Sequence, residues 1–288
     1  MKILKNVTQT QKLTSLLRKR GKVIGFVPTM GYLHEGHLSL IKAVRQKTDT
    51  VIVSIFVNPL QFGPGEDLKK YPRNIRRDEK LCRQAGVDYI FYPDTDQMYP
   101  EGYSTYVNIE KVSDGLEGGI RPGHFKGVGT IVLKLFNIVQ PHFAVLGQKD
   151  AQQCSVLKKM TADLNVNTRI IVCTTAREKD GLAMSSRNTY LSNQQREDAP
   201  YLFKALEYAA RKISLENYNK DIEFLKGQMS KLIKSRRTAT KIDYISFNDY
   251  ATLEELNSLK NTKNRVILIS LAVRFGSVRL IDNIVIKR

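Results

Sequence analysis

Residues 26–40 read Phe26-Val27-Pro28-Thr29-Met30-Gly31-Tyr32-Leu33-His34-Glu35-Gly36-His37-Leu38-Ser39-Leu40, an apolar run that breaks at a proline and restarts with helical spacing. Upstream, Val23, Ile24, Phe26 and Val27 have the continuous apolar character of a buried parallel strand. Downstream, Leu38, Ile41 and Val44 place apolar groups on one side of a helix. The join is therefore a strand-to-helix turn. In an open α/β sheet such a turn lies at the carboxyl edge of the strands, where ligands bind, and its helix start offers free N–H groups to an anion. His34 and His37 are two of only four histidines, and their spacing of three points both the same way.

The same strand-and-helix rhythm continues outward from this turn. Residues 8–19 carry Leu13, Leu16 and Leu17 at helical spacing and stop at Arg18-Lys19-Arg20-Gly21. Residues 50–56 form an apolar, β-branched strand that ends in the loop Val57-Asn58-Pro59-Leu60-Gln61-Phe62-Gly63-Pro64-Gly65. A helix is expected over 74–85, a short strand over 88–92 and an alternating strand over 104–109. Residues 115–129 hold six glycines and read as a mobile loop. A helix over 128–139, a strand over 142–146, a helix over 151–163 and a strand over 170–174 complete a doubly wound parallel sheet. Past residue 175 the texture changes to a polar loop (176–193) and two long amphipathic helices, 194–214 and 219–236. A strand (242–247), a helix (252–258) and an antiparallel pair (266–273 with 278–286) follow. Two domains are expected, 1–176 and a smaller α+β domain over 177–288 that contributes the loop Met184–Arg187.

Charge and cysteine content narrow the partners. Lys plus Arg number 46 against 28 Asp plus Glu, a formal +18. Nucleic acid is one reading of such an excess. The basic pairs Lys69-Lys70, Arg76-Arg77, Lys158-Lys159 and Arg236-Arg237 are scattered, however, with no long basic block and no aromatic interleaving. Solvated faces and small anionic ligands account for them better, so no nucleic-acid partner is expected. Cys82, Cys154 and Cys173 are odd in number and lack the spacings of zinc sites or disulfide frameworks. With no signal-peptide core and no apolar run near the ~18 residues of a membrane span, a cytoplasmic protein without membrane attachment is expected.

Three constellations carry chemistry. The histidine turn comes first. The ordinary reading of one such histidine is a cap or a satisfied polar residue, but two beside Gly31 and Gly36 suit phosphate oxygens. A pair at this spacing with no nearby cysteine or third histidine is a poor zinc site, so no protein-held metal is expected. The second is Gly147-Gln148-Lys149-Asp150-Ala151-Gln152-Gln153, where Lys149 offers a point charge and Gln153 an amide; an ordinary surface loop is its plain alternative. The third is Met184-Ser185-Ser186-Arg187-Asn188, whose two hydroxyls and guanidinium fork could close on terminal phosphates. Together they suit attack on the α-phosphate of ATP with loss of pyrophosphate.

The motifs Pro28–His37, Phe56-Val57-Asn58-Pro59-Leu60-Gln61-Phe62, Arg121-Pro122-Gly123-His124-Phe125, Gly147–Asp150 and Met184–Asn188, with Arg279-Leu280-Ile281-Asp282-Asn283 near the end, resemble the pantothenate synthetase family of the HIGH-type nucleotidyl transferase superfamily. The resemblance implies a Rossmann-like ATP- and pantoate-binding domain followed by the smaller α+β domain. It implies that pantoate and ATP give pantoyl adenylate and pyrophosphate, and that β-alanine then displaces AMP to leave pantothenate. By the same resemblance His37 is the proton donor with His34 beside it, and Lys149 shares the catalytic role. ATP contacts fall on Met30, Gly31, Tyr32, Leu33, His34, Glu35, Gly36, His37, Gly147, Gln148, Lys149, Asp150, Ala176, Met184, Ser185, Ser186 and Arg187. Gln61 corresponds to a residue for pantoate and β-alanine, and Gln153 to one for pantoate. Met30 and Phe62 would wall the gem-dimethyl group. Mg²⁺ is expected on the triphosphate, held largely by phosphate oxygens and water, with Asp78 a candidate contact. Arg121 and His124 read equally as anion contacts or as loop structure. A homodimer is implied. Ala151 stands where the family commonly has an aromatic residue, and the +18 charge is not a family trait. The rival readings are a related adenylyltransferase acting on another acid and an RNA-binding protein with a synthetase-like fold; the glutamine pair argues for the ligase.

Overall fold

The apolar run before the histidine turn is a strand and the run after it a helix in the computed structural model, which describes residues 1–215, 221–260, 262 and 264–287. In chain order the first elements are β1 (Lys2–Leu4), α1 (Val7–Lys19), β2 (Ile24–Thr29), α2 (Glu35–Arg45), β3 (Thr50–Ile55) and α3 (Ile75–Gln84). Then come β4 (Tyr89–Phe91), α4 (Thr95–Met98), α5 (Leu116–Ile120), α6 (His124–Val139), β5 (Phe143–Gly147), α7 (Ala151–Asp163) and β6 (Arg169–Cys173). The six strands pair in parallel in the order β1-β4-β3-β2-β5-β6. The chain thus builds outward from β2 on one side and returns to build β5 and β6 on the other. That reversal puts a crevice at the carboxyl end of β2.

The alternation within β2 and β3 covers both faces of the sheet. Val27, Val51, Val53 and Ile55 pack with Leu40, Ile41 and Val44 of α2 and Cys82 of α3. Phe26 turns the other way and meets Phe136 of α6 edge-on, with ring centroids 6.4 Å apart. Each such side chain, fully buried, contributes about 1.5–3 kcal/mol.

The remaining elements are α8 (Asn193–Asp198), α9 (Tyr201–Ile213), α10 (Ile222–Lys234) and the antiparallel strands β7 (Ala239–Asp249), β8 (Val266–Phe275) and β9 (Val278–Lys287), in the order β7-β8-β9. Leu202, Leu206, Leu225 and Met229 from the helices share a core with Ile269, Leu271 and Val273 of the central strand. By its contacts the chain forms two compact units, Met1–Gln148 with Gln152–Thr174, and Lys149–Ala151 with Thr175 onward.

Several expectations are corrected. Residues 104–109 are not a strand: Val107 gives its N–H to Thr130 Oγ1 at 2.9 Å, and the segment lies outside both sheets. Residues 115–129 are not a loop but hold α5 and the start of α6, because Gly127 and Gly129 serve close packing. The helix read over 194–214 is two, α8 and α9, separated at Pro200, which has no N–H to continue the ladder. Residues 252–258 are not helical, since Leu256 N–H donates to Phe247 O and Asn248 Nδ2 to Leu253 O, doubling the chain back on β7. Asn219 and Lys220, where the expected second helix begins, lie outside the described residues; α10 starts at Ile222. β1 lacks any sequence signal of its own, being three residues added to the sheet edge beside β4.

Candidate active site

The histidine turn is held open by a carboxylate from α3. Asp78 accepts the N–H of Tyr32 at Oδ2 and that of Leu33 at Oδ1, both at 2.8 Å. Its side chain is buried, and burial pushes the carboxyl up from its usual range against the pull of those donors and of Arg77. Arg77 closes the other side, donating Nη1–H to Leu33 O at 2.7 Å with its guanidinium 5.0 Å from the centre of the Tyr32 ring. Gly31 sits at φ +84°, and a Cβ there would lie 2.9 Å from Ile55 Cγ2 and 3.1 Å from Asp78 Oδ2. Only glycine fits this corner.

His34 is the N-cap of α2, and its backbone N–H donates to His37 Nδ1 at 3.3 Å. The two rings lie 4.1 Å apart between centroids. Because Nδ1 of His37 accepts, the neutral ring carries its proton on Nε2. A hydrogen-bond donor on an imidazole is thus added to the positive dipole of a helix start.

Gln61 stands on the neighbouring edge, at the end of a single helical turn (Pro59–Gln61) that follows β3. Its Nε2 lies 3.1 Å from Met30 Sδ, joining it to the histidine turn, and its Oε1 accepts from Asn58 Nδ2 at 3.1 Å. Asn58 is itself buried; it donates to Gly127 O and accepts the hydroxyl of Tyr99 at 2.7 Å. α6 passes so close that a Cβ on Gly127 would lie 2.2 Å from Leu60 O. The Gln61 carbonyl receives His124 Nδ1–H at 2.8 Å and Arg121 Nη2–H at 3.3 Å. Arg121 also forks onto Glu66 with two contacts of 2.7 Å. Arg121 and His124 therefore serve loop structure, fastening both ends of residues 61–66.

His124 donates through Nδ1, so its Nε2 accepts from Arg121 Nη1 at 3.1 Å. Burial, and then the Arg121 charge, hold its pKa down to about 4. Phe62 packs edge-on against Tyr71 with centroids 6.0 Å apart.

On the far side of β2, Gly147 ends β5, Gln148 follows, and Gln153 lies half-buried in the first turn of α7. Its neighbour Gln152 is buried and braces the chain before α6, accepting Glu117 N–H and donating to Val112 O and Gly115 O. The edges of β3, β2 and β5 thus bring Gln61, the histidine turn and Gly147-Gln148 with Gln153 to one end of the sheet.

The second unit holds the other candidates. Lys149 is mostly buried, with Nζ 3.4 Å from Asp150 Oδ1 and its carbonyl accepting Asn283 Nδ2–H at 2.8 Å. Ala176 and Met184 face each other across a narrow strand pair, with Met184 N–H donating to Ala176 O at 3.0 Å and a bridge between Arg177 and Ala183. Ser185 caps the turn Ser186–Tyr190 through its Oγ, which accepts Arg187 N–H at 3.3 Å. Asn188 Nδ2 donates to Ala183 O and secures that turn.

Among the described residues no group of three or more His, Cys, Asp or Glu could hold a metal ion. Both oxygens of Asp78 already accept backbone N–H groups. The donor set does not fit a dedicated protein-held Mg²⁺ site. No helix of the described chain is long and apolar enough to cross a membrane.

Sequence reasoning missed the supporting residues Asp78, Asn58, Gln152 and Glu66 as builders of the site. Their signal lies in contacts 35 to 69 residues apart along the chain, such as Gln152 with Glu117 and Asn58 with Gly127.

Residues 2–285 match the family profile described as Pantoate-beta-alanine ligase. A pantothenate synthetase of Caldicellulosiruptor bescii is 49% identical over 287 residues, spanning 100% of this chain and 99% of the relative. One of Acetivibrio thermocellus is 48% identical over 287 residues, spanning 100% of both. The crystal structure of pantothenate synthetase from Thermus thermophilus superposes with a TM-score of 0.89 at 40% identity, covering 99% of each chain. That of a pantoate-beta-alanine ligase from Francisella tularensis, complexed with beta-gamma ATP and beta-alanine, superposes with a TM-score of 0.80 at 37% identity, covering 99% of this chain and 97% of that one.

Proposed function

The chain belongs to the pantoate-beta-alanine ligase family and forms pantothenate from pantoate and β-alanine with ATP, and from that premise we propose how its own residues do so. The reaction runs in two halves. A pantoate carboxylate oxygen attacks the α-phosphorus of ATP, forming an O–P bond as the bond to pyrophosphate breaks. The β-alanine amine then attacks the acyl carbon of the pantoyl adenylate, the C–O bond to AMP breaks, and the amine loses a proton.

The observation that carries this reading is the His34 N–H to His37 Nδ1 bond. It leaves Nε2–H of His37 as a positioned donor at a helix start. There it meets charge developing on phosphate oxygens more strongly than it meets bound ATP. His34 lines the same end. Met30, Gly31, Tyr32, Leu33, Glu35 and Gly36 supply the rest of that wall. Gly147, Gln148 and Asp150 flank the triphosphate, and Lys149 adds a point charge to it. Ala176 and Met184 take the nucleoside, and Ser185, Ser186 and Arg187 the terminal phosphates. Gln61 and Gln153 bind pantoate's polar groups, with Gln61 also near β-alanine. A site that pairs those hydroxyls rejects analogues lacking them. No protein ligand set is assigned to Mg²⁺; bound with the triphosphate, it would supply charge neutralisation there.

The enzyme is read as a cytoplasmic homodimer, with three cysteines in no disulfide, as suits a reducing compartment, and no nucleic-acid partner. Light scattering on the purified protein tests the dimer. For the activity, the test is β-alanine-dependent AMP release from ATP, Mg²⁺ and pantoate; none at any β-alanine concentration would overturn the reading.

A further inference from the structure

Asp282 and Asn283 are adjacent on β9, both buried, in a stretch whose neighbours Leu280 and Ile284 belong to the apolar core of the second unit. Successive residues of a strand point to opposite faces. Asp282 takes the core side and receives both arms of Arg177, at 2.6 Å from Nη1 and 2.9 Å from Nη2. Arg177 also donates to Gly181 O and Asn283 O, and its guanidinium carbon lies over the Phe203 ring, 3.8 Å from its centroid. Asn283 takes the other side and donates Nδ2–H to the carbonyl of Lys149 at 2.8 Å. Two successive residues of β9 thus grip two separate segments. One carries Ala176 and Met184; the other carries Lys149.

A buried ion pair is weak support for stability, since a well-packed apolar pair would serve the core as well or better. What it supplies is direction. The fork admits one orientation of Arg177, and the carboxamide fixes one carbonyl. We propose that Asp282 and Asn283 are positioning residues of the ligase: they touch no substrate, and they set where Lys149 and the Ala176–Met184 pair stand before ATP binds. This rests on the reading of Lys149 as a phosphate contact and of Ala176 and Met184 as nucleoside contacts. The two arms differ in their kinetic signature. Displacing a group that acts on the phosphates in the transition state lowers kcat, whereas loosening a ground-state nucleoside contact raises KM.

The test is steady-state pyrophosphate release from ATP, Mg²⁺ and pantoate with saturating β-alanine in Asn283→Ala, Lys149→Ala, the double variant and Arg177→Lys. Asn283→Ala is expected to lower kcat on the order of 10- to 100-fold in the wild-type background, the scale of a misplaced catalytic group, and to change nothing further in the Lys149→Ala background. Equal losses in both backgrounds would overturn the proposal, as they would mark a general structural role. A Lys149→Ala protein with wild-type kcat would overturn the reading of Lys149 and this inference with it. Arg177→Lys keeps the charge and loses the fork, and is expected to raise KM for ATP about tenfold with kcat held. It decides the matter should Asn283→Ala show no cooperative melting transition, because an unchanged KM would then refute the positioning role.

Discussion

The backbone N–H of His34 points at Nδ1 of His37 from 3.3 Å, so the cap residue of α2 sets the tautomer of the residue one turn later. The donor is backbone, and the bond determines which end of the His37 ring donates.

Glutamine can place an amide N–H near the position of Nε2, whereas asparagine reaches only as far as Nδ1. His37→Gln is therefore expected to retain more activity than His37→Asn. His37→Ala should lower the rate of adenylate formation on the order of 10²–10⁴-fold, with ATP affinity changed far less. Stopped-flow pyrophosphate release and equilibrium binding of a non-hydrolysable ATP analogue measure the two; matching losses would contradict a transition-state role.

Asp78→Asn keeps one acceptor oxygen where the turn needs two. Either Tyr32 or Leu33 N–H would then face an NH₂ group. A loss of about 1–3 kcal/mol in unfolding free energy is expected, the cost of one buried donor left unpaired. Urea titration checks it, and a wild-type midpoint would show that the turn stands without this carboxylate.

Gly127→Ala puts a methyl 2.2 Å from Leu60 O and 2.7 Å from Gln61 N. Backbone must move, at about 1–3 kcal/mol, and what moves is the turn that carries Gln61. The expected kinetic mark is a raised KM for pantoate with KM for ATP little changed. Were both constants to rise together, the displacement would not be local to Gln61.

His124 gives the protein a slope in acid. Burial and then Arg121 hold its folded pKa at about 4, against 6.5 for a free imidazole. Between these values the unfolded state binds the extra proton, so stability rises with pH through the window and falls on acidification from 6.5 towards 4. The whole contribution is at most about 3.4 kcal/mol, from about 2.5 units at about 1.36 kcal/mol each. His124→Gln removes the proton uptake and should flatten the decline in urea midpoint over that range; parallel pH profiles for the two proteins would exclude the mechanism.

The centre of the fold was plain in the sequence because local signals agreed there. The apolar strand, the Gly31 corner and the helical spacing after His37 all point to the same strand-turn-helix, and β3 and β5 repeat the pattern on either side. Periodicity failed where another demand had chosen the residues. The alternation at residues 104–109 reflects packing on α6 through Thr130 rather than a ladder partner. Gly127 and Gly129, in the first turns of α6, reflect crowding against the Leu60 backbone and the Ile109 side chain rather than mobility. The site divided in the same way. The residues proposed to bind ligand lie in motifs, whereas Asp78, Asn58 and Glu66, which brace the turns carrying them, look like ordinary polar residues until distant segments are brought together.

Residues Lys149–Ala151 cluster with the C-terminal unit although the chain on both sides of them belongs to the first. Modularity is therefore incomplete: a crossover between two homologous genes at residue 174 would take Lys149 from one parent and its partner Asn283 from the other. Because Asn283 holds a backbone carbonyl, chimaeras joined there are expected to keep the contact when the second parent supplies a carboxamide at 283, and a C-terminal fragment beginning at Thr175 would lack the short segment its last strand is built to hold.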